Sequence, residues 1–484
     1  MTADPRLLVV DVGTSSVRAG TVGRDARVAH VHHRPLLPDT PAPGLVEFDG
    51  ALMATTVLEV ARAALAESGP VTAVGITNQR ASTLVWDRAT GEPVAPGLGW
   101  QDLRTIGTVL ELSAEGIHMA PNLLGTKAQA ILDQVDPDRS RDLCIGTVDS
   151  WVAWTLSEGA LHVTDPTNAA LTGLRTLDST GWDDDVLARL GIPADALPRV
   201  VDSVGVVGPA TALDGAPPIA GLAGDQQASL VGQGCLARGQ AKATFGTGGM
   251  LDVCLGPERP AFATRGPAGA FPIVTRSRGG ELTWGVEAAM LSAGTNVEWL
   301  RDDMGLIADA AESHTVAAAC DDSEGVWFVP ALLGLGAPKW DYGARGTLLG
   351  VSRGSGRAQV VRAVLEGVAH RGADLLEAAE ADGGVDIPRL RVDGGMSDNP
   401  TFVQALADAT QRPIEVSPER EATTLGAAYL AGLATGVWSE DAELAALWAP
   451  RAVVEPARAL DRERWAEAVR RSERWIPELS GLDF

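Results

Sequence analysis

Asp225 is the residue of this sequence best placed to do chemistry. It lies in "GLAGDQQASLVGQGC" (221–235), where a glycine precedes it, two glutamines follow it, and the other residues are small or apolar. An isolated carboxylate in such a segment could hold a turn, bind a metal ion or accept a proton from a reacting group. The residue types alone leave these three roles open.

Three glycine-rich turns have the composition of phosphate-binding loops. They are "DVGTSSVR" (11–18), "TFGTGG" (244–249) and "VDGGMSDN" (392–399). Such turns offer backbone N–H groups and hydroxyls to a phosphate, although each is also a plausible structural turn. None matches the Walker A pattern or GxGxxG. Three such turns in one chain favour a single nucleotide held between two domains.

Buried strands are predicted to position these turns. "RLLVVDVGTSSVRAGTV" predicts a strand, a tight turn and a second strand, with Asp11 at the carboxyl end of the first, where open α/β sheets bind ligands. "GQAKATFGTGGMLDVCLG" (239–256) repeats this order. "PIAGLAGDQQASL" predicts a strand that ends near Ala223, a loop that carries Asp225, and a helix. The repetition predicts two related α/β halves with a boundary near residues 238–241.

Helices are predicted where apolar residues recur at helical spacing. One amphipathic helix is predicted in "RAQVVRAVLEGVAHRGADLLEAAEA". Its apolar stripe consists of Val361, Val364, Val368, Leu375 and Ala379. A second is predicted after Asn399 or Asp398, either of which could cap it, with Pro400 at the first helical position. "TTLGAAYLAGLATG" predicts a small-residue helix suited to close packing.

Composition excludes several classes of partner. The chain has 484 residues, of which 45% are apolar, and a formal charge of −24. This charge repels nucleic acid and anionic membranes, so neither is expected as a partner. The four cysteines are far apart and predict buried thiols in a reducing compartment. Because no signal-like start and no apolar run of about 20 residues is present, a cytoplasmic protein is expected.

In combination, these motifs resemble the FGGY family of carbohydrate kinases over nearly the whole chain, and within it the glycerol kinases most. The matching segments keep the family's order: "VVDVGTSSVRAGTV", "GITNQRASTLVWDRATGEPVAPGLGWQDLRT", "GTKAQAILDQV", "GTVDSWVAWTL", "HVTDPTNAA", "GDQQASLVGQG", "ATFGTGGM", "VWFVPALLGLGAPKWDYGARGTLLGVSRG" and "LRVDGGMSDNPTFVQAL". The resemblance implies an α/β, two-domain, actin/hexokinase-like (ribonuclease H-like) fold. Mixed sheets flanked by helices would form residues 1–240, which bind sugar or polyol, and 241–484, which bind nucleotide, with the active site in the cleft between them.

The same resemblance assigns the chemistry to a few residues. Asp225 matches the catalytic base, which accepts the proton of the attacking primary hydroxyl. Gln226 would hydrogen-bond substrate hydroxyls, and Asp11 would orient Mg²⁺ through water. ATP is the implied phosphoryl donor, and a homodimer or homotetramer is implied as the assembly.

Nucleotide contacts are implied on both halves of the chain. The positions that match them are Thr14, Ser15, Ser16 and Arg18 in the first phosphate turn, Thr247 in the second, and Gly294, Gly395 and Asn399 beyond it. Glu298 stands where glycerol kinases have a glutamine, which alters the expected adenine or ribose contact.

The polyol pocket departs further from the family pattern. Arg80 and Trp100 match it, and a guanidinium with an indole face suits a small polyol. Ala81 replaces a glutamate, Asn122 a tyrosine and Met250 a phenylalanine. A substrate hydroxyl left without its partner costs about 1–3 kcal/mol. The smaller side chains also leave room for a longer polyol or a ketose.

The expected function is therefore ATP-dependent phosphorylation of a primary hydroxyl of a small polyol or sugar. Glycerol and four- to six-carbon polyols or ketoses, such as erythritol, xylulose and ribulose, remain alternatives as substrate. Two other functions remain open. A non-catalytic regulator would bind sugar or nucleotide without turnover, and an actin-type ATPase would hydrolyse ATP with no sugar present.

Overall fold

Strands and helices alternate along the computed structural model, which describes residues 5–418 and 421–482. The strands are β1 (Arg6–Val12), β2 (Ser16–Gly23), β3 (Val28–Pro35), β4 (Glu47–Phe48), β5 (Ala73–Asn78), β6 (Leu84–Asp87), β7 (Gly97–Leu98), β8 (Leu143–Gly146), β9 (Val163–Thr164), β10 (Arg199–Val200), β11 (Val204–Pro209), β12 (Pro218–Gly224), β13 (Ala241–Phe245), β14 (Gly249–Gly256), β15 (Phe271–Arg278), β16 (Glu281–Met290), β17 (Trp327–Val329), β18 (Thr347–Leu349), β19 (Leu390–Asp393), β20 (Ile414–Val416) and β21 (Ala452–Val454).

The helices lie between these strands. They are α1 (Gly50–Ser68), α2 (Ile106–Ala114), α3 (Leu124–Val135), α4 (Val148–Leu156), α5 (Pro166–Ala169), α6 (Asp184–Leu190), α7 (Asp225–Gly232), α8 (Thr295–Asp302), α9 (Glu312–Ala317), α10 (Arg357–Gly383), α11 (Pro400–Thr410), α12 (Ala422–Thr435), α13 (Asp441–Leu447), α14 (Arg462–Ser472) and α15 (Pro477–Ser480).

One mixed sheet organises the described residues, and two parts of it have the same topology. Its strand order is β21-β20-β19-β13-β14-β16-β15-β11-β12-β5-β1-β2-β3. In the first part, β1 pairs antiparallel with β2 and parallel with β5, while β2 and β3 are antiparallel and β5 and β12 parallel. In the second part, β13, β14, β16, β19 and β20 take the places of β1, β2, β3, β5 and β12. The predicted repetition of an α/β unit is confirmed.

The glycine turns join strands at equivalent places in the two parts. The turn of "DVGTSSVR" links β1 to β2, and that of "TFGTGG" links β13 to β14. The halves touch along the sheet through a parallel contact between Val204 of β11 and Arg278 of β15. Because β1 and β13 are the central strands of their units, both turns lie at the carboxyl ends of buried parallel neighbours.

The predicted helices are confirmed. All five residues of the predicted stripe of α10 are buried. Asn399 caps α11 by accepting a hydrogen bond from the backbone N–H of Phe402, and Pro400 is the first helical residue. The small-residue segment forms α12, which packs on α7, β12 and β5. Glycines in both α7 and α12 allow this close packing, because the backbones of the two helices are in direct contact there.

No described cysteine is in a disulfide. Cys144, Cys235 and Cys254 are buried thiols, as predicted, whereas Cys320 is only half-buried. Among residues 5–418 and 421–482, no helix combines the length and the apolar character that crossing a bilayer requires.

Asp149 and Asp165 are two fully buried carboxyls in the first half of the chain. Asp149 of α4 accepts a hydrogen bond from Thr164 Oγ1 at 2.7 Å, and Asp165 accepts one from Ser203 Oγ at 2.6 Å. Burial, reinforced by the charge of Asp165, raises the pKa of Asp149 to about 7. The folded protein therefore holds a proton that an unfolded aspartate, with a pKa of about 3.9, loses at lower pH.

This proton predicts a pH-dependent stability difference between the native protein and Asp149→Asn. Between pH 4 and 7 the folded state binds more protons at Asp149 than the unfolded state, so the contribution of Asp149 to the free energy of unfolding falls as pH rises through this window. Asp149→Asn lacks this contribution, and its stability relative to wild type should rise from pH 4 to 8 in urea unfolding. Asp214→Asn, at an exposed aspartate, is the control. A relative stability of Asp149→Asn that stays constant with pH would contradict the assignment.

Candidate active site

Asp225 is the first residue of α7, so the predicted loop between strand and helix is absent. Strand β12 ends at Gly224, which caps the helix with extended backbone angles (φ −60°, ψ 153°). The N–H of Gly224 donates to Thr167 Oγ1 at 2.9 Å, and Asp165 in turn accepts from that hydroxyl at 2.8 Å. The segment "HVTDPTNAA" thereby fixes the point at which strand becomes helix. Because one residue makes the turn, Asp225 has little freedom of position.

The Asp225 carboxylate is partly open and otherwise surrounded by protein. About a third of its side chain, 32%, is exposed. Its Oδ1 accepts the N–H of Gln226 at 2.8 Å and lies 3.4 Å from Nε of Arg80. Burial raises the pKa of Asp225, and the positive charge of Arg80 opposes that rise. A desolvated carboxylate that substrate can still reach has the properties of a general base.

Arg80 connects the candidate base to the second part of the sheet. Its Nη2 lies 2.8 Å from Glu287 Oε2 on β16, and its Nη1 donates to Gln227 Oε1 at 3.4 Å. Burial would raise the pKa of Glu287, but the charge of Arg80 holds it below its usual value. Sequence reasoning found Arg80 and missed Glu287, because no local pattern links β16 to the loop after β5.

Asp11 adds a second carboxyl close to Asp225. It lies near the end of β1, and burial raises its pKa to about 6, with Arg18 lowering it and Asp225 raising it further. Two neighbouring carboxyls whose charge is incompletely balanced suit a divalent cation. Within the described residues, no group of three or more histidine, cysteine, aspartate or glutamate side chains forms a ready-made metal site. A cation here would therefore need water and substrate oxygens as further ligands.

A ring of hydrogen bonds joins the first phosphate turn to the predicted polyol residues. Trp100 Nε1 donates to Thr14 Oγ1 at 3.1 Å, and Gln79 Nε2 donates to the carbonyl of Gly13 at 3.2 Å. Ser82 Oγ donates to Gln79 Oε1 at 3.0 Å and accepts the backbone N–H of Trp100 at 3.0 Å. Gln79 and Ser82 were missed, although both lie in the "NQRAS" segment around Arg80. These hydrogen bonds connect the first phosphate turn directly to the predicted polyol-binding residues.

The three departures from the family pattern occupy different surroundings. Ala81 is 2% exposed and adopts a left-handed backbone conformation with φ 62°. Asn122 is exposed. The Nζ of the buried Lys127 donates to the backbone carbonyl of Asn122 and to that of Gly99, each at 2.8 Å. Burial lowers the pKa of Lys127 to about 7. Met250 is half-buried on β14 and pairs with Thr244 of β13.

The predicted nucleotide residues of the second half gather at the β13–β14 turn. Thr247 lies in that turn, and its carbonyl accepts the N–H of Ala293 at 2.8 Å. Gly294 donates to the carbonyl of Gly246 at 2.7 Å, and a Cβ at position 294 would come within 2.6 Å of that oxygen. Gly294 therefore permits this contact, and it is the N-cap residue of α8.

The third glycine turn packs on the same strand end. Gly394 has φ 85°, and a Cβ there would lie 2.5 Å from the carbonyl oxygen of Phe245. Gly395, which follows it, is exposed. Asn399 donates to Ser313 Oγ at 2.8 Å while it caps α11, so its amide already has structural partners. Glu298 is exposed on α8.

The first phosphate turn carries the remaining predicted contacts. Gly13 N–H donates to the carbonyl of Ser16 at 2.9 Å, which closes the turn, and the carbonyl of Ser15 accepts from Leu36. Arg18 pairs with Glu421, immediately before α12. The structure thus brings Asp11, Thr14, Arg80, Trp100 and Asp225 into one connected set, while Asn122 and Glu298 stand on the surface. The arrangement can hold an anion at glycine turns and deprotonate an alcohol beside them.

Comparison with known proteins identifies the family of the chain. Models of the FGGY family of carbohydrate kinases match the chain twice, the N-terminal domain over residues 6–232 and the C-terminal domain over residues 241–435. A glycerol kinase from Dechloromonas aromatica is 41% identical, with 98% of each chain covered. One from Aromatoleum aromaticum is 43% identical, with 97% of this chain and 99% of that one covered.

Solved structures show the same fold. A glycerol kinase from Plasmodium falciparum, crystallised with ADP, superposes with a TM-score of 0.89 at 28% identity and covers 97% of this chain and 98% of its own. A xylulose kinase from Rhodospirillum rubrum superposes with a TM-score of 0.82 at 22% identity, covering 96% and 97%, and shows the fold alone. The chain belongs to the FGGY family of carbohydrate kinases, has their two-domain actin/hexokinase-like fold, and is a phosphotransferase that acts on an alcohol group.

Proposed function

We propose that this protein phosphorylates a primary hydroxyl of a small polyol at the expense of ATP, with Asp225 as the general base. The observation that carries the proposal is the Asp225 carboxylate itself. It is held at the start of α7, its pKa is raised, and about a third of its side chain is exposed to solvent beside Arg80. Phosphoryl transfer needs positioning, charge neutralisation and a proton acceptor near the nucleophile, and these groups supply all three.

In the proposed reaction, Arg80 and Trp100 hold the polyol so that one primary hydroxyl faces Asp225. The carboxylate accepts the hydroxyl proton while the oxygen forms a bond to the γ-phosphorus and the bond to the β-phosphate oxygen breaks, which releases ADP. A bound Mg²⁺ would neutralise phosphate charge, with Asp11 orienting it through water. The Trp100–Thr14 hydrogen bond keeps the polyol residues in register with the phosphate turn.

We assign residues 1–240 to the polyol and the base, and residues 241–484 to the nucleotide. The support is the grouping of Thr247, Gly294 and Gly395 at the carboxyl ends of β13 and β19, where α/β sheets bind nucleotides. We assign the first phosphate turn, which lies on the other half of the chain, to binding phosphate groups of the same nucleotide.

Glycerol is the first candidate substrate, because full-length relatives near 40% identity are named glycerol kinases. Ala81 favours a second candidate, a four- to six-carbon polyol or ketose. Position 81 is buried and bears no carboxylate that could accept a substrate hydroxyl. Loss of one such hydrogen bond changes binding by about 1–3 kcal/mol, which is enough to decide between small polyols.

A substrate panel tests this function. ADP formation should require a polyol, and it should be measured with glycerol, erythritol, xylitol, ribulose, xylulose and gluconate. Ala81→Glu should raise kcat/KM for glycerol by about tenfold, since it restores an acceptor, and lower kcat/KM for the longer substrates. Ala26→Glu is the matched control, because Ala26 has the same φ of 62° in the β2–β3 turn.

Two outcomes of the panel would contradict the proposal. ADP formation without any polyol would indicate an ATPase. Polyol or ATP binding by calorimetry with no turnover on any panel member would indicate a non-catalytic regulator. If kcat/KM for glycerol is unchanged in Ala81→Glu, residue 81 does not contact the polyol.

A further inference from the structure

A fully buried lysine contacts Gln226, the residue that follows the candidate base. Lys242 is 0% exposed on β13, the first strand of the second unit. Its Nζ donates to Gln226 Oε1 at 2.6 Å and to Thr244 Oγ1 at 3.0 Å, and it lies 2.7 Å from Asp252 Oδ2. An ammonium has three N–H donors, and three partners surround this one. Such complete pairing is what allows a charge to remain buried.

The contact with Gln226 crosses from the second half of the chain to the first. Gln226 follows Asp225 in the first turn of α7 and is half-buried. An ammonium can only donate, so the Gln226 atom 2.6 Å from it must be the carbonyl oxygen. The bond to Lys242 fixes the orientation of the amide, with Oε1 toward Lys242 and the Nε2 donors on the side of the amide away from it.

We propose that Lys242 is a positioning residue that fixes the amide of Gln226 so that its Nε2 donates to an oxygen of the bound polyol. This inference rests on the proposed function, and it adds that substrate recognition beside the base uses a hydrogen bond from Gln226 Nε2 to an acceptor oxygen of the polyol. The alternative is an ion pair that only stabilises the second sheet. Its removal would affect stability without affecting substrate recognition.

Asp252 and the groups around it explain how Lys242 stays in place. Asp252 faces Lys242 across β13 and β14, and Glu287 across β14 and β16. Arg80 lies on the far side of Glu287. Burial raises the pKa of Asp252, against the opposing charge of Lys242. The four side chains form one buried charge cluster, so removal of Lys242 alone would leave Asp252 without its counter-charge.

A double-mutant cycle tests the positioning role. Gln226→Leu and Lys242→Met should each lower kcat/KM for the polyol by about 10- to 100-fold, and the combined variant should be no worse than Gln226→Leu alone. KM for ATP should stay within about twofold of wild type. Lys242→Met/Asp252→Leu removes both charges at once, so it avoids an unpaired carboxylate and should reproduce the loss seen with Lys242→Met. Lys339→Met, at a surface lysine, is the control.

A second readout does not depend on turnover. The side-chain ¹⁵NH₂ signals of Gln226, identified as those lost in Gln226→Leu, should shift in Lys242→Met/Asp252→Leu and stay in place in Lys339→Met. The inference is overturned if those signals do not move. It is also overturned if the losses of kcat/KM caused by Gln226→Leu and by Lys242→Met/Asp252→Leu multiply when the substitutions are combined. Absence of polyol-dependent ADP formation in wild type would instead count against the proposed function, and the amide signals would still decide the orientation of Gln226.

Discussion

Asp225→Asn is expected to lower kcat for polyol-dependent ADP formation by roughly 10²–10⁴-fold. Asparagine has nearly the same shape as aspartate, so the start of α7 and the contact with Arg80 are retained. It cannot accept the hydroxyl proton, however, and the nucleophile would have to lose that proton to water. ATP binding, measured by calorimetry, should change by less than about twofold, because the predicted nucleotide contacts, in the turns after β1, β13 and β19 and at the start of α8, do not include Asp225. An ADP-coupled assay at saturating polyol measures kcat directly.

The same base predicts the acid side of the pH profile. Asp225 works only when ionised, and burial raises its pKa, so kcat/KM should fall on acidification at a higher pH than an ordinary aspartate would give. Asp214→Asn, at an exposed aspartate, is the matched control and should keep both the rate and the profile. Wild-type turnover by Asp225→Asn would exclude Asp225 as the base and end the proposed mechanism.

The residues that sequence reasoning found are those that local pattern specifies. Asp11 and Asp225 each follow a short run of apolar residues that predicts a strand. The glycines of the turns predict a change of chain direction. The repeated strand–turn–strand order predicted the related units of the sheet. The start of α7 was wrong by a few residues, because the hydroxyl of Thr167, far away in sequence, makes the turn at Gly224 shorter than a typical loop.

The residues that were missed act through contacts between distant segments. Lys242 lies in the strand "AKATF", where its neighbours suggest an ordinary exposed lysine, and only the fold places Gln226 and Asp252 around it. Glu287 likewise becomes the partner of Arg80 because β16 passes beside the loop after β5. Alternation within one strand cannot reveal such pairs, since the decisive neighbour comes from another element.

The interface between α7 and α12 carries the second large expected effect. Gly426 of α12 lies against the backbone of α7, and a Cβ there would come within 1.8 Å of the carbonyl oxygen of Ala228. Gly232 of α7 has the reciprocal position, with a Cβ only 1.9 Å from the carbonyl oxygen of Ala422. Backbone atoms cannot move aside as a flexible side chain can. A methyl group at either glycine therefore has to separate the two helices.

Gly426→Ala is accordingly expected to lower the free energy of unfolding by about 3 kcal/mol or more, at or beyond the upper end of the usual cost of overpacking. The measurement is urea unfolding followed by tryptophan fluorescence. Gly107→Ala in α2 is the matched control: a Cβ at position 107 meets no atom within 4 Å, so this change should raise helix stability by up to about 1 kcal/mol. Because α7 begins with Asp225, any folded fraction of Gly426→Ala should also lose kcat, as separating the helices moves the base. Wild-type stability together with wild-type kcat in Gly426→Ala would show that the two helices can part without consequence, and that α12 does not hold the base in position.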